Sequence, residues 1–131
     1  MTQSDRGTSG GTRVLVVDDS PHLRRCVCRA LDRAGLTVVG EAADGEQALA
    51  KAAEQRPDVV LMDLRMPKMD GIRATRALRA QQPETPVLLW TGDSDANIGA
   101  AVREAGARAG VPKGIRTPEL VAILLRICAA H

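Results

Sequence analysis

The chain has 131 residues, 44% of them hydrophobic, which is enough to bury the greater part of one core and fits a single domain. Its 18 Lys and Arg against 16 Asp and Glu leave a formal charge of +2, and the two signs alternate, so no basic block calls for nucleic acid. The longest apolar runs fall far short of the ~20 residues that a membrane span takes, and three cysteines without framework spacing point to a reducing cytoplasm.

The opening MTQSDRGTSGGTR has no apolar core of the signal-peptide kind and reads as a solvated tail over residues 1–12, followed by one domain over residues 13–131. From Arg13 onward, short β-branched runs alternate with longer amphipathic stretches, which predicts a doubly wound parallel sheet with five helices on its two faces. The expected strands are Val14 to Asp18, Thr37 to Ala42, Asp58 to Asp63, Pro86 to Thr91 and a short one near Gly110 to Pro112. Most are continuously apolar, as burial on both faces requires. Helix starts are marked by Ser20 before Pro21, by Asp44 with Gln47 three residues on, and by Thr117 before Pro118 and Glu119.

In the first helix Leu23, Val27, Ala30, Leu31 and Ala34 recur at helical spacing, while Arg24, Arg25, Arg29 and Arg33 read as a solvated face. Cys26 then falls at the edge of the core and Cys28 is a partly exposed thiol. His22 and Cys26 have metal-ligand spacing but no third soft ligand nearby. Trp90 reads as a packing residue of the fourth strand. The last helix has a core stripe of Leu120, Leu124, Ile127 and Cys128, and adds Val121 and Leu125. That extra apolar surface is either a contact for a second copy or an effector, or edge-of-core packing.

Two strands end in acid: VLVVDD at Asp18 and Asp19, and DVVLMD at Asp63. In an open α/β sheet the ligand crevice lies beyond the carboxyl ends of the strands, where the strand order reverses, so these carboxylates should converge there. Crowded carboxylates need a cation, and Mg2+ suits them as a hard ion shared between carboxylates and a phosphate. Thr91 ends the fourth strand and Lys113 closes the fifth, adding a hydroxyl and an ammonium. In a flavodoxin-like order 2-1-3-4-5 Asp63 sits centrally, which makes it the candidate nucleophile toward a phosphoryl group. The bland alternatives are Asp19 as a helix cap, Thr91 as a turn hydroxyl and Lys113 as a solvated lysine.

Four segments, VLVVDDSPHLRR, PDVVLMDLRMPKMDG, PVLLWTGDSD and GARAGVPKG, appear in order, and together they resemble the receiver domain of bacterial two-component response regulators from about Val14 to His131. The resemblance implies Asp63 as phosphoacceptor, Asp18 and Asp19 as the metal-binding pair, Thr91 as the switch hydroxyl and Lys113 as the site lysine. It adds the backbone carbonyl of Arg65 as a further Mg2+ ligand. It also implies a histidine kinase or histidine phosphotransfer protein as phosphodonor, and a chain that catalyses only its own phosphorylation and dephosphorylation. Arg65 and Asp93, two residues beyond Asp63 and Thr91, would set the lifetime of the phosphoryl group. Residues around Met66, Pro67, Met69, Asp70 and Gly71, with GVPKGIRTPEL, look closest to the branch that often carries a LuxR-type helix-turn-helix.

One departure stands out. The chain has no Tyr and no Phe, so the aromatic that this family usually places on the fifth strand is missing, and Gly110 stands there. Any output must use other parts, such as backbone near Gly92 or the Trp90 side chain. The leading expectation is a stand-alone cytoplasmic receiver in a phosphorelay. Its rivals are the receiver part of a longer DNA-binding regulator and a pseudo-receiver that binds partners without phosphate.

Overall fold

The computed structural model describes residues 11–92 and 97–129; residues 1–10 of the expected tail and Asp93 lie outside them. Strands β1 (Arg13–Val17), β2 (Thr37–Ala42), β3 (Val59–Asp63), β4 (Val87–Thr91) and β5 (Ala109–Pro112) alternate with helices α1 (Pro21–Arg33), α2 (Gly45–Gln55), α3 (Gly71–Gln81), α4 (Ile98–Ala105) and α5 (Thr117–Ala129). All strand pairs are parallel and the order is β2-β1-β3-β4-β5, the flavodoxin-like arrangement expected. Strand ends shift from expectation by one residue. Asp18 lies just past β1, although its N–H still bonds Ala42 O at 3.0 Å. Thr12, placed in the tail, is tied down through its carbonyl, which accepts the Thr37 N–H at 2.8 Å.

The strand order fixes where the helices go. Chain winding runs one way from β1 to β2 and the other way from β1 through β3 to β5, and a right-handed crossover that reverses direction must change face. Alternate strand residues accordingly serve two cores. Leu15, Val17, Val60, Met62, Val87 and Leu89 meet the alanine-rich faces of α2, α3 and α4, including Ala48, Ala52, Ala74, Ala101 and Ala105. Val14, Val16, Val59, Leu61, Leu88 and Trp90 meet α1 and α5 through Cys28, Leu31, Leu120, Leu124 and Ile127.

Ser20 caps α1, its Oγ accepting the Leu23 N–H at 3.3 Å with Pro21 next, and Asp44 caps α2 through the Gln47 N–H at 2.8 Å. The α5 helix begins at Thr117 itself, with Arg116 O accepting the Leu120 N–H at 3.0 Å, one residue earlier than a Thr117 cap implies. The phase of α1 also differs from the sequence reading. Cys28 is buried and Cys26 exposed, because α1 leans on the sheet through Cys28 and Leu31. Arg24 is not on a solvated face: its side chain is 16% exposed, its Nε pairs with Glu41 at 2.9 Å and its Nη1 donates to Asp18 O at 2.6 Å. On α5, Val121 packs at the core edge, whereas Leu125 is exposed.

The packing over Gly110 accounts for the missing aromatic. A Cβ at Gly110 would lie 2.7 Å and 2.9 Å from Ile98 Cγ1 and Cδ1 and 2.9 Å from Val102 Cγ2, so α4 sits directly on β5 where a ring would stand. Gly110→Ala is expected to cost about 1–2 kcal/mol, since overpacking outweighs the stabilisation that comes from reducing the entropy of the unfolded chain. Urea unfolding checks this, and an unchanged midpoint would mean that α4 yields freely.

Candidate functional site

The β1 and β3 strands lie side by side where the winding reverses, and Val17 pairs with Met62, so the residues that follow, Asp18 and Asp63, emerge together at the carboxyl edge. Asp19 joins them. Each of the three offers a carboxylate oxygen within 4.8 Å of the others. Asp18 and Asp63 are 0% and 2% exposed, while Asp19 faces solvent.

Lys113 reaches this cluster from the end of β5. Its N–H donates to Thr91 O at 2.7 Å, which locks the ends of β4 and β5 together. Its Nζ lies 2.7 Å from Asp18 Oδ2 and 3.1 Å from Asp63 Oδ1. Thr91 is buried at the end of β4, one register position past the Asp63 and Trp90 pair. The bland alternative for Lys113, a solvated lysine, therefore does not hold.

Local hydrogen bonds set the carboxylates. Asp18 Oδ1 accepts the Ser20 N–H at 2.8 Å, so Asp18 holds the start of α1 while Ser20, and not Asp19, caps it. Asp63 Oδ1 also accepts the Arg65 N–H at 3.3 Å. Asp18 Oδ2 meets the Lys113 ammonium as an ion pair, and buried Asp63 Oδ2 has no hydrogen-bond partner. Burial, then the charge of Asp18, push the Asp63 carboxyl up from its ordinary 3.8 to about 6, against the pull of Lys113 and the Arg65 N–H. Burial works against the charge on Lys113, but its close contacts with Asp18 and Asp63 outweigh it and raise its pKa.

Three carboxylates thus face one ammonium, and one buried oxygen lacks a partner. A donor set of this kind fits a small divalent cation of the Mg2+ type. A groove of about 360 Å³ adjoins the site between the β3–α3 loop and α4, but Leu64 and Arg65 bring it only to the edge of the acid cluster, so the chemistry is not assigned to it.

Two local features escaped the sequence reading. Asp70 caps α3, accepting the Arg73 N–H at 2.9 Å. Gly71 has to be glycine, because a Cβ there would strike the carbonyl oxygen of Asp63 and lie 2.8 Å from Leu64 Cα. The run MDG carries both signals. Cys28 and Cys128 belong to one core layer, and burial pushes their thiols up to about 12 and about 11, away from the thiolate form.

The sequence model of the response regulator receiver domain matches residues 14–125. Response regulator GacA of Pseudomonas viridiflava is 41% identical over 120 residues, covering 91% of this chain and 56% of that protein. A protein-glutamate methylesterase/protein-glutamine glutaminase of Hahella chejuensis is 42% identical over 103 residues, 76% of this chain and 29% of the relative. The chain therefore spans between about a third and a half of these relatives. Among solved structures, a LuxR-family two-component response regulator from an Aurantimonas species superposes with a TM-score of 0.84 at 36% identity, covering 91% of this chain and 86% of that one. The receiver domain of the putative response regulator NarL from Mycobacterium tuberculosis gives 0.82 at 36% identity, covering 92% and 98%.

Proposed function

Because the chain belongs to the response regulator receiver domain family, we propose that its Asp63 accepts a phosphoryl group from a phosphorylated histidine and holds it as an aspartyl phosphate. The observation that supports this most is the contact of Lys113 Nζ with both Asp18 and Asp63, beside a buried Asp63 oxygen that has no partner. In the step, an Asp63 oxygen forms a bond to phosphorus while the P–N bond of the donor breaks, and the imidazole leaves with that electron pair. The reacting form is the carboxylate, and the Lys113 ammonium helps to keep Asp63 ionised. Lys113 also faces the oxygens on which charge accumulates, and the buried Thr91 at the end of β4 is the switch hydroxyl of this reading.

Asp18, Asp19, Asp63 and the Arg65 carbonyl would hold Mg2+, which when bound offsets the negative charge of the carboxylates and phosphoryl oxygens. Arg65 beside Asp63, with Asp93, sets how long the group survives. The site residues act on the chain's own carboxylate, so it is a switch and not an enzyme with a separate substrate. The working unit spans residues 13–131, with a tail over residues 1–12. Among the described residues no helix is long and apolar enough to cross a membrane. The cysteine usage and the alternating charges support a cytoplasmic chain with no membrane or direct nucleic-acid role. Its partners are a histidine kinase or phosphotransfer protein, and Leu125, 43% exposed on α5, offers a contact to a second copy or an effector.

In its simplest form the proposal is a receiver that works by itself. A second reading, the input part of a longer DNA-binding regulator, is favoured by the 56% span of GacA. A pseudo-receiver finds less support, since the space left by the missing aromatic is filled by α4 while the acid cluster and Lys113 are complete.

With a phosphorylated histidine kinase and Mg2+, the chain is expected to draw the label onto itself, and Asp19→Asn to need on the order of tenfold more Mg2+. An unchanged Mg2+ requirement would remove Asp19 from the ligand set. Failure to take label from any phosphohistidine donor would refute the reading.

A further inference from the structure

We infer that Trp90 is a positioning residue for the phosphoryl site, its indole face holding the Lys113 ammonium between Asp18 and Asp63. The inference rests on the phosphoryl-accepting reading of Asp63. Trp90 is the sole Trp, Tyr or Phe of the chain, so it is the one large aromatic face that the fold can offer to a cation. Lys113 Nζ lies 5.2 Å from the ring centroid, within the range of a cation–π contact. The lysine side chain is only 16% exposed, so water competes weakly for its charge.

The ring is itself fixed from several sides. Trp90 is 2% exposed in the layer beneath α1 and α5. Its Nε1–H points at Val17 O at 3.5 Å, next to Asp18 at the end of β1. Its backbone carbonyl accepts the Leu64 N–H at 2.9 Å, and it is the register partner of Asp63. One residue thus touches the strand ends that carry Asp18 and Asp63 through its own edge and main chain, and the lysine through its face.

Lysine needs such a guide. Its ammonium is a point charge on a flexible four-carbon stem, unlike the planar fork of arginine. A cavity of about 170 Å³ beside the ring, lined by Leu23, Val27, Leu120, Trp90 and Lys113 itself, leaves the stem room to swing away from the carboxylates. The indole closes that alternative by rewarding the one position in which Nζ meets the ring and both acids. An aliphatic residue of similar bulk would fill the core without that preference.

The test compares wild type, Trp90→Phe and Trp90→Leu for initial rate of phosphoryl uptake from acetyl phosphate with Mg2+, after urea unfolding shows each to be folded. Trp90→Leu is expected to be about 3- to 10-fold slower and Trp90→Phe, which keeps a π face, within about twofold of wild type. A merely structural role would slow both variants in step with their lost stability, and that outcome, or a Leu variant as fast as wild type, overturns the inference alone. Lys113→Met provides a readout independent of the reaction: with a single tryptophan, removal of the ammonium is expected to shift Trp90 emission, and identical spectra overturn the contact. If wild type takes up no phosphoryl group, the reading of Asp63 fails first and this inference falls with it.

Discussion

An Asp63→Asn variant is expected to take up no phosphoryl group and yet to be about 3 kcal/mol more stable than the wild type at pH 7 without metal. Asparagine keeps the shape of the side chain but lacks the nucleophilic carboxylate. The stability gain follows from where Asp63 lies: buried, beside Asp18, with one Lys113 between two acids. These surroundings raise its pKa from 3.8 to about 6, and a raised acid destabilises the fold once it is ionised. Below the unfolded value the carboxyl is protonated in both states and carries no penalty. Between 3.8 and about 6 the folded protein keeps a proton that the unfolded chain releases, so stability falls as pH rises, and above that range the penalty is complete. The advantage of Asp63→Asn should therefore be absent below about pH 3, small near pH 4, grow through pH 5 and level off above pH 6. Urea unfolding in a chelator across that range measures it. A constant difference, or a less stable variant at pH 7, would contradict the electrostatic account. Added Mg2+ should narrow the gap, because a ligand of the native wild type stabilises it by mass action.

Gly71→Ala is expected to destabilise the fold by at least about 2 kcal/mol and to slow phosphoryl uptake by about tenfold or more. The added Cβ would meet three main-chain atoms: the Asp63 carbonyl oxygen, Leu64 Cα at 2.8 Å and Asp63 C at 3.1 Å. None can turn away as a side chain would. The Gly71 N–H donates to Leu64 O at 2.8 Å, closing the loop that carries Arg65 back against β3. Alanine must then push α3 off the strand or twist the peptide of the acceptor itself, and misplacement of a reacting group by an ångström is costly to rate. Helix propensity acts in the opposite direction, favouring alanine by at most about 1 kcal/mol. The sign of the change in urea midpoint decides between the two effects, and a more stable Gly71→Ala would mean that the close approach is absent.

What was legible in the sequence follows from how local each signal is. VLVV before Asp18 and VVLM before Asp63 show that these strands are buried on both faces, because no polar residue interrupts them. Asp18, Asp19 and Asp63 could be placed together because strand ends at a winding reversal converge whatever fills the core. Ser20 and Asp44 could be read as caps because the bond they make spans three residues. Arg24 could not be read correctly, since its partners are Glu41 on another strand and the Asp18 carbonyl, and helical spacing alone put it on the outer face. Cys26 and Cys28 lie on nearly opposite sides of α1, about 160° apart, and only packing against the sheet decides which of them flanks the core stripe; it is Cys28. Gly110 shows the limit most clearly. Composition reveals that no aromatic ring is present, but not that Ile98 and Val102 of α4 take its space.

The most direct test of the account is intact mass after incubation with acetyl phosphate and Mg2+, run beside Asp63→Asn and a chelator control. The account predicts a gain of one phosphoryl group in the wild type and none in either control. A wild type that stays unmodified with this donor and with a phosphorylated histidine kinase, or an Asp63→Asn variant that gains the same mass, would contradict it.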